Sequence, residues 1–214
     1  MNRTILYLHG MGGGADSRIP AILRDHFAAA DPSVTVICRT YDFDPEVAHP
    51  VIRGWIDELR PDLIIGESLG SNHALRIPDI PKILVSPALG APRRLRKLAP
   101  WTFIPGVSWI CRRFIWHVKR PGRQKLVFRY RILHKYKAHG EAVVAAIPAV
   151  GRVHAFFGDQ DHYMRSGAVS IPLWESRYGS DTYTIYHGTH FMEEEYIFSL
   201  LIPKIREFLL DVKE

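Results

Sequence analysis

Along the chain, short apolar runs that stop at glycine alternate with longer stretches whose apolar residues recur every three to four positions. Thr4-Ile5-Leu6-Tyr7-Leu8 predicts a buried strand, closed by His9-Gly10. A helix is expected from Ser17, with Pro20 tolerated in its first turn and Ile22, Leu23 and Phe27 facing inward. Val34 to Cys38 reads as the second strand. Val51, Ile52, Trp55, Ile56 and Leu59 then mark an amphipathic helix that Pro61 ends. Leu63-Ile64-Ile65 is a strand ending at Gly66, a helix is expected from Ser68 to about Arg76, and Lys82 to Val85 is a fourth strand. The alternation resumes with strands at Val153–Phe157 and Thr182–Tyr186. A tail helix follows from about Glu194 to Val212, which Pro203 should kink or split. This pattern predicts an α/β fold, a mainly parallel sheet covered by helices on both faces, with chemistry at the carboxyl ends of the strands.

The residues at those strand ends carry the candidate chemistry. Gly66-Glu67-Ser68-Leu69-Gly70 is a G-x-S-x-G pattern between an apolar strand and a helix, a tight turn that exposes a serine hydroxyl and needs Gly66 and Gly70 for clearance. His190 follows the last strand and is the candidate base for Ser68. His187, three residues earlier, belongs to the strand end. Gly158-Asp159-Gln160-Asp161 offers two carboxylates. Asp161 is the expected orienting acid, because the loop must leave the strand before it turns toward the histidine, and Asp159 is the alternative acid. An oxyanion hole needs two backbone donors. Leu69, after the serine, and Met11, in His9-Gly10-Met11-Gly12-Gly13-Gly14, are the candidates, with His9 and Gly10 shaping that loop.

These pieces resemble the α/β-hydrolase superfamily: Leu8-His9-Gly10-Met11-Gly12, Gly66 to Gly70, Gly158 to Asp161 and Gly188-Thr189-His190. The early start of the first strand is similar to that of the small bacterial YqiA-type esterases. The resemblance implies a Ser68–Asp161–His190 hydrolase acting on a small acyl ester or thioester, with no cofactor and no metal. Two other readings compete. The glycines after the first strand also fit a dinucleotide fingerprint, with Arg39 placed to meet a 2′-phosphate. A non-catalytic member of the fold would instead use a basic inserted lid to bind an anionic lipid, a membrane surface or nucleic acid.

Charge changes the picture in one region. The 214 residues carry a formal net charge of +6, yet Ile80 to Gly140 holds 15 Lys/Arg and no acidic residue. The remainder has 13 basic against 22 acidic residues. A single hydrolase domain is therefore expected, with an acidic core at 1–87 and 148–214 and an inserted basic helical lid at 88–147. Val107, Ile110, Cys111, Phe114, Ile115 and Val118 predict one amphipathic lid helix bearing Trp109 and Trp116. A second is expected from Gln124 to Lys137 with Leu126, Val127, Tyr130 and Leu133 inward. Such a lid suits an anionic substrate or peripheral contact with an anionic membrane; nucleic acid is not expected, because no recognised module is present. Isolated Cys38 and Cys111, no leader and no apolar run of membrane-spanning length point to a cytoplasmic protein.

Overall fold

The computed structural model describes residues 2–110, 121–147 and 151–210. The chain runs β1 (Arg3–Leu8), α1 (Arg18–Ala30), β2 (Val34–Cys38), α2 (Pro45–Leu59), β3 (Leu63–Glu67), α3 (Gly70–Ala74) and β4 (Lys82–Val85). Next come α4 (Ala91–Leu98), a 3-10 segment (Ala99–Phe103), α5 (Val107–Ile110) and α6 (Tyr130–Ala146). Then follow β5 (Val153–Gly158), α7 (Tyr163–Ser166), α8 (Ile171–Tyr178), β6 (Tyr183–Tyr186), α9 (Glu194–Tyr196), a π-helical segment (Ile197–Leu201) and α10 (Ile202–Leu210).

The six strands form one parallel sheet in the order β2-β1-β3-β4-β5-β6. Because side chains alternate across a strand, the two faces collect different residues. Ile5, Tyr7, Ile65, Val85 and Phe156 pack with Leu23 and Phe27 of α1 and Ile205 and Phe208 of α10. Leu6, Leu8, Ile64, Leu84 and Phe157 pack with Ile52 of α2 and Trp174 of α8. Strand order reverses between β1 and β3, and in such sheets a crevice opens there beyond the strand ends. Among the described residues no helix is long and apolar enough to cross a membrane.

Several local expectations are corrected. Helix α2 starts at Pro45, ahead of the expected stripe, because Asp44 caps it by accepting from Glu46 N at 3.0 Å. Its buried residues are Pro45, Ala48 and Ile52, so Val51 is exposed. Ile22 is only half-buried, and Ile19 and Pro20 join Leu23 and Phe27 on the inner face of α1. Around Pro203 the tail is split, as expected, into α9, the π-helical segment and α10. Directly before the proline the chain widens into a π turn, with Ile202 N–H donating to Ile197 C=O, which absorbs the missing proline donor.

In the basic segment, α6 begins at Tyr130 and not at Gln124. Gln124 N donates to Gly13 O at 2.8 Å and Arg123 bridges Gly14, so this stretch is extended against the glycine loop and cannot coil. Leu126 and Leu133 are buried as expected, Val127 is half-buried, and Tyr130 is exposed beside His134 and Phe103. Most of the amphipathic stripe expected from Val107 to Val118 lies outside the described residues.

One packed layer was not anticipated. His9 stacks on Tyr41 at 4.2 Å, Tyr41 meets His73 edge-on, and His73 packs against His49 and His139. Burial lowers His9 and His49 to about 4 and drives His73 well down; burial and Arg76 lower His139 to about 3. These rings are neutral in the fold, whereas in the unfolded chain they protonate near their ordinary value of about 6.5. Between those values the unfolded state binds more protons, so stability is full above about pH 6.5 and falls as pH drops toward 4. For His9 alone the loss by pH 4 is roughly 3 kcal/mol. Urea midpoints measured from pH 7 down to 4 should therefore decline steadily, and a flat profile across that range would contradict the assignment.

Candidate active site

Ser68 sits on the turn between β3 and α3 with φ at +50°, a conformation that L residues rarely adopt. The turn is held by Ser68 N donating to Val85 O at 2.9 Å and by Ser68 O accepting from Ala88 N at 3.1 Å. The flanking glycines follow from space. A Cβ on Gly70 would lie 2.3 Å from Leu8 O, and one on Gly66 would lie 2.8 Å from Ser71 Cα. The strand–turn–helix packing thus excludes any larger residue at both positions.

His190 lies on the loop after β6, and its Nε2 stands 2.8 Å from Ser68 Oγ. Its Nδ1 stands 2.7 Å from Asp161 Oδ2. With Nδ1–H donating to the carboxylate, Nε2 is left to accept the serine hydroxyl. Asp161 is buried, and its other oxygen accepts from Tyr163 N at 2.8 Å. Asp159 does not reach this group. It pairs with His187 at 3.0 Å on the exposed side of the same strand ends, which raises the His187 pKa through that hydrogen bond. The structure therefore brings Ser68, His190 and Asp161 into one hydrogen-bonded line and holds Asp159 and His187 apart as a surface pair.

The glycine loop completes the site. His9 is buried and its Nδ1 lies 2.7 Å from Gly10 O, so the ring braces the loop from beneath. A Cβ on Gly10 would lie 3.1 Å from Ser68 Cβ, so the loop passes directly over the serine. Gly12 N–H is taken by Gln124 Oε1 at 3.0 Å. The N–H groups of Met11 and Leu69 donate to no other group among the described residues, and both residues line the cavity above Ser68. That cavity measures about 520 Å³ and is also bordered by Ala88, Leu95, Tyr163 and Phe191.

Three supporting residues escaped the sequence reading. Gln124 anchors the glycine loop from the basic segment, with its amide Nε2 donating to Asp42 O at 3.1 Å. Tyr163 packs edge-on against the His190 ring at 4.5 Å. Arg18 donates to the carbonyl of Met192 and thereby ties the His190 loop to α1. None belongs to a motif; only the Asp161–Tyr163 spacing of two residues hinted at a turn there.

The dinucleotide reading is not supported by this geometry. Helix α1 opens at Arg18, beyond the glycines, whereas the fingerprint needs a helix starting among them. Arg39 is engaged by Glu58 through two hydrogen bonds of 2.6 Å. Among the described residues no cluster of three or more His, Cys, Asp or Glu could hold a metal ion. Cys38 is buried, its thiol pushed up to about 12 by that burial, while Cys111 lies outside the described residues.

No protein-family model matches the chain, and no curated protein is detectably similar to it. Solved structures are similar in fold. A monoacylglycerol lipase of Paleococcus ferrophilus aligns over 96% of this chain and 93% of its own, with a TM-score of 0.61 at 14% identity. A haloalkane dehalogenase, DatA of Agrobacterium tumefaciens, aligns over 98% and 90%, with a TM-score of 0.55 at 13% identity. FphF of Staphylococcus aureus, a fluorophosphonate-binding serine hydrolase, aligns over 97% and 84%, with a TM-score of 0.53 at 14% identity. The chain has the α/β-hydrolase fold. Since that fold carries both a lipase and a dehalogenase among these structures, function has to be argued from the site itself.

Proposed function

We propose that the chain is a serine hydrolase that cleaves carboxylic esters or thioesters through an acyl-enzyme on Ser68. The observation that carries this reading is the line Asp161–His190–Ser68, joined by hydrogen bonds of 2.7 and 2.8 Å at the floor of a cavity large enough for an acyl group. His190 takes the hydroxyl proton at Nε2 as Ser68 Oγ attacks the carbonyl carbon. Asp161 keeps the proton of Nδ1 in place and stabilises the imidazolium. The Met11 and Leu69 N–H groups receive the oxyanion of the tetrahedral adduct. His190 then returns its proton to the departing alkoxide or thiolate. Water, deprotonated by the same nitrogen, attacks the acyl carbon and frees Ser68.

Within the α/β-hydrolases, the reading keeps the likeness to the YqiA-type esterases for the core, and takes segment 88–147 as a lid over the acyl cavity. Support for the lid comes from Leu95 of α4, which lines that cavity, and from Leu126, Phe128 and Leu133, which pack with Leu69. The test is direct. Rapid mixing with a p-nitrophenyl ester is expected to give a burst of p-nitrophenolate, and mass spectrometry of acid-quenched enzyme should find the acyl group on the peptide containing Ser68. Acylation of a different residue, or no release of p-nitrophenolate, would overturn the proposal.

A further inference from the structure

A second cavity, about 540 Å³, lies between α4, α6 and α8. Leu89, Val143 and Leu173 contribute apolar walls. The rim is cationic: Arg93, Arg94, Arg96 and Lys97 come from α4, and Arg177 comes from α8. Elsewhere in the protein cations find carboxylates, as in Arg3–Asp62, Arg39–Glu58, Arg123–Asp16 and Lys135–Asp44. Among the described residues, none of the five rim cations from α4 and α8 forms an ion pair with a carboxylate. The acid on this rim, Glu141, faces Lys137 of its own helix at 3.7 Å.

Such an arrangement is unfavourable on its own. Arg93, Arg96 and Lys97 stand three and four positions apart on α4, where like charges repel. An anion with several oxygens relieves that repulsion, and guanidinium groups match phosphate oxygens through paired N–H donors. The cleft also adjoins the site already described. Leu89 and Gly90 face it, Ala88 and Ala91 face the Ser68 cavity, and Arg94 borders both. The Arg94 guanidinium rests against Gly167, where a Cβ would come within 3.2 Å of Nη2.

We propose that this cleft binds the phosphate-bearing end of an acyl ester or thioester whose acyl group reaches Ser68. The acyl half rests on the serine-hydrolase reading; the anion half rests on the cleft alone. Two measurements keep them separable. The first is calorimetric titration with pyrophosphate at low salt, where the protein is expected to bind and Arg96→Gln/Arg177→Gln to bind at least about tenfold more weakly. The second compares kcat/KM for a phosphopantetheine thioester with that for the uncharged N-acetylcysteamine thioester of the same acyl chain.

In the Gln variant the ratio of those two values should fall about tenfold or more, through KM, and Arg96→Lys/Arg177→Lys should recover part of it. Damage to the fold would lower both substrates together and leave the ratio unchanged. No pyrophosphate binding by the unaltered protein, equal binding by the variant, or an unchanged ratio in a variant that keeps its activity on the uncharged thioester overturns the cleft. If neither thioester nor the p-nitrophenyl ester is cleaved by the unaltered protein, the serine-hydrolase reading fails, and the titration still decides the anion site. Sedimentation with phosphatidylglycerol vesicles identifies the phosphate source. Vesicle binding that the Gln variant abolishes, without preference for the phosphorylated thioester, assigns the cleft to a lipid headgroup and overturns a soluble carrier.

Discussion

Ser68→Ala is expected to lower kcat for a p-nitrophenyl ester by roughly 10⁴- to 10⁶-fold and to abolish labelling by a fluorophosphonate probe. The reason is stoichiometric: Ser68 Oγ is the oxygen that lies within 2.8 Å of His190 Nε2, and alanine leaves that nitrogen nothing to deprotonate. The fold should survive. Alanine has no more steric difficulty than serine at the φ of +50°, and the change deletes one partly buried hydroxyl. Melting temperatures of the two proteins should agree within a few degrees. Adding His190→Ala to Ser68→Ala should cost little further activity, because the two groups act as one unit. Wild-type labelling of the alanine variant would sink the assignment.

Asp161→Asn and Asp159→Asn should separate by roughly three orders of magnitude. An asparagine at 161 can donate its amide to His190 Nδ1, which moves the ring proton to Nε2 and turns it toward the serine hydroxyl instead of away from it. The base is then blocked although the geometry is kept, and kcat should fall about 10³- to 10⁴-fold. At 159 the same change touches only the exposed pair with His187, 75% and 45% accessible, so activity should stay within about twofold. Steady-state kinetics on a neutral ester, with melting curves as a control for folding, will rank the two. A larger loss from Asp159→Asn would reverse the roles.

Much of the fold was legible because its signals are local. The four central strands, β1, β3, β4 and β5, are mostly apolar runs, as a parallel sheet buried on both faces needs, while the edge strands β2 and β6 are only partly buried. The strand ends were equally legible: Ser68, His190 and two aspartates stand where β3, β6 and β5 finish. Element boundaries were less so. Gln124 carries a helix-compatible pattern, yet its backbone is captured by Gly13, more than a hundred residues earlier in the chain. Tyr130 fits an inward stripe, but the stripe turned with the later start of α6. In both cases a long-range contact outweighed a weak local preference.

The sequence by itself determined the layered α/β architecture, the turn at Ser68 and the chain order of the serine, the carboxylates and the histidine. These depend on periodicity and on steric demands within a few residues. Tertiary structure alone decided which carboxylate meets which histidine, since Asp159 and Asp161 differ by only two positions along one loop. It also gathered His9, His49, His73 and His139 into one neutral layer, and set Arg177 opposite the cations of α4 across a cleft. Those arrangements join residues far apart in the chain. Their partners are chosen by packing, which no local pattern records.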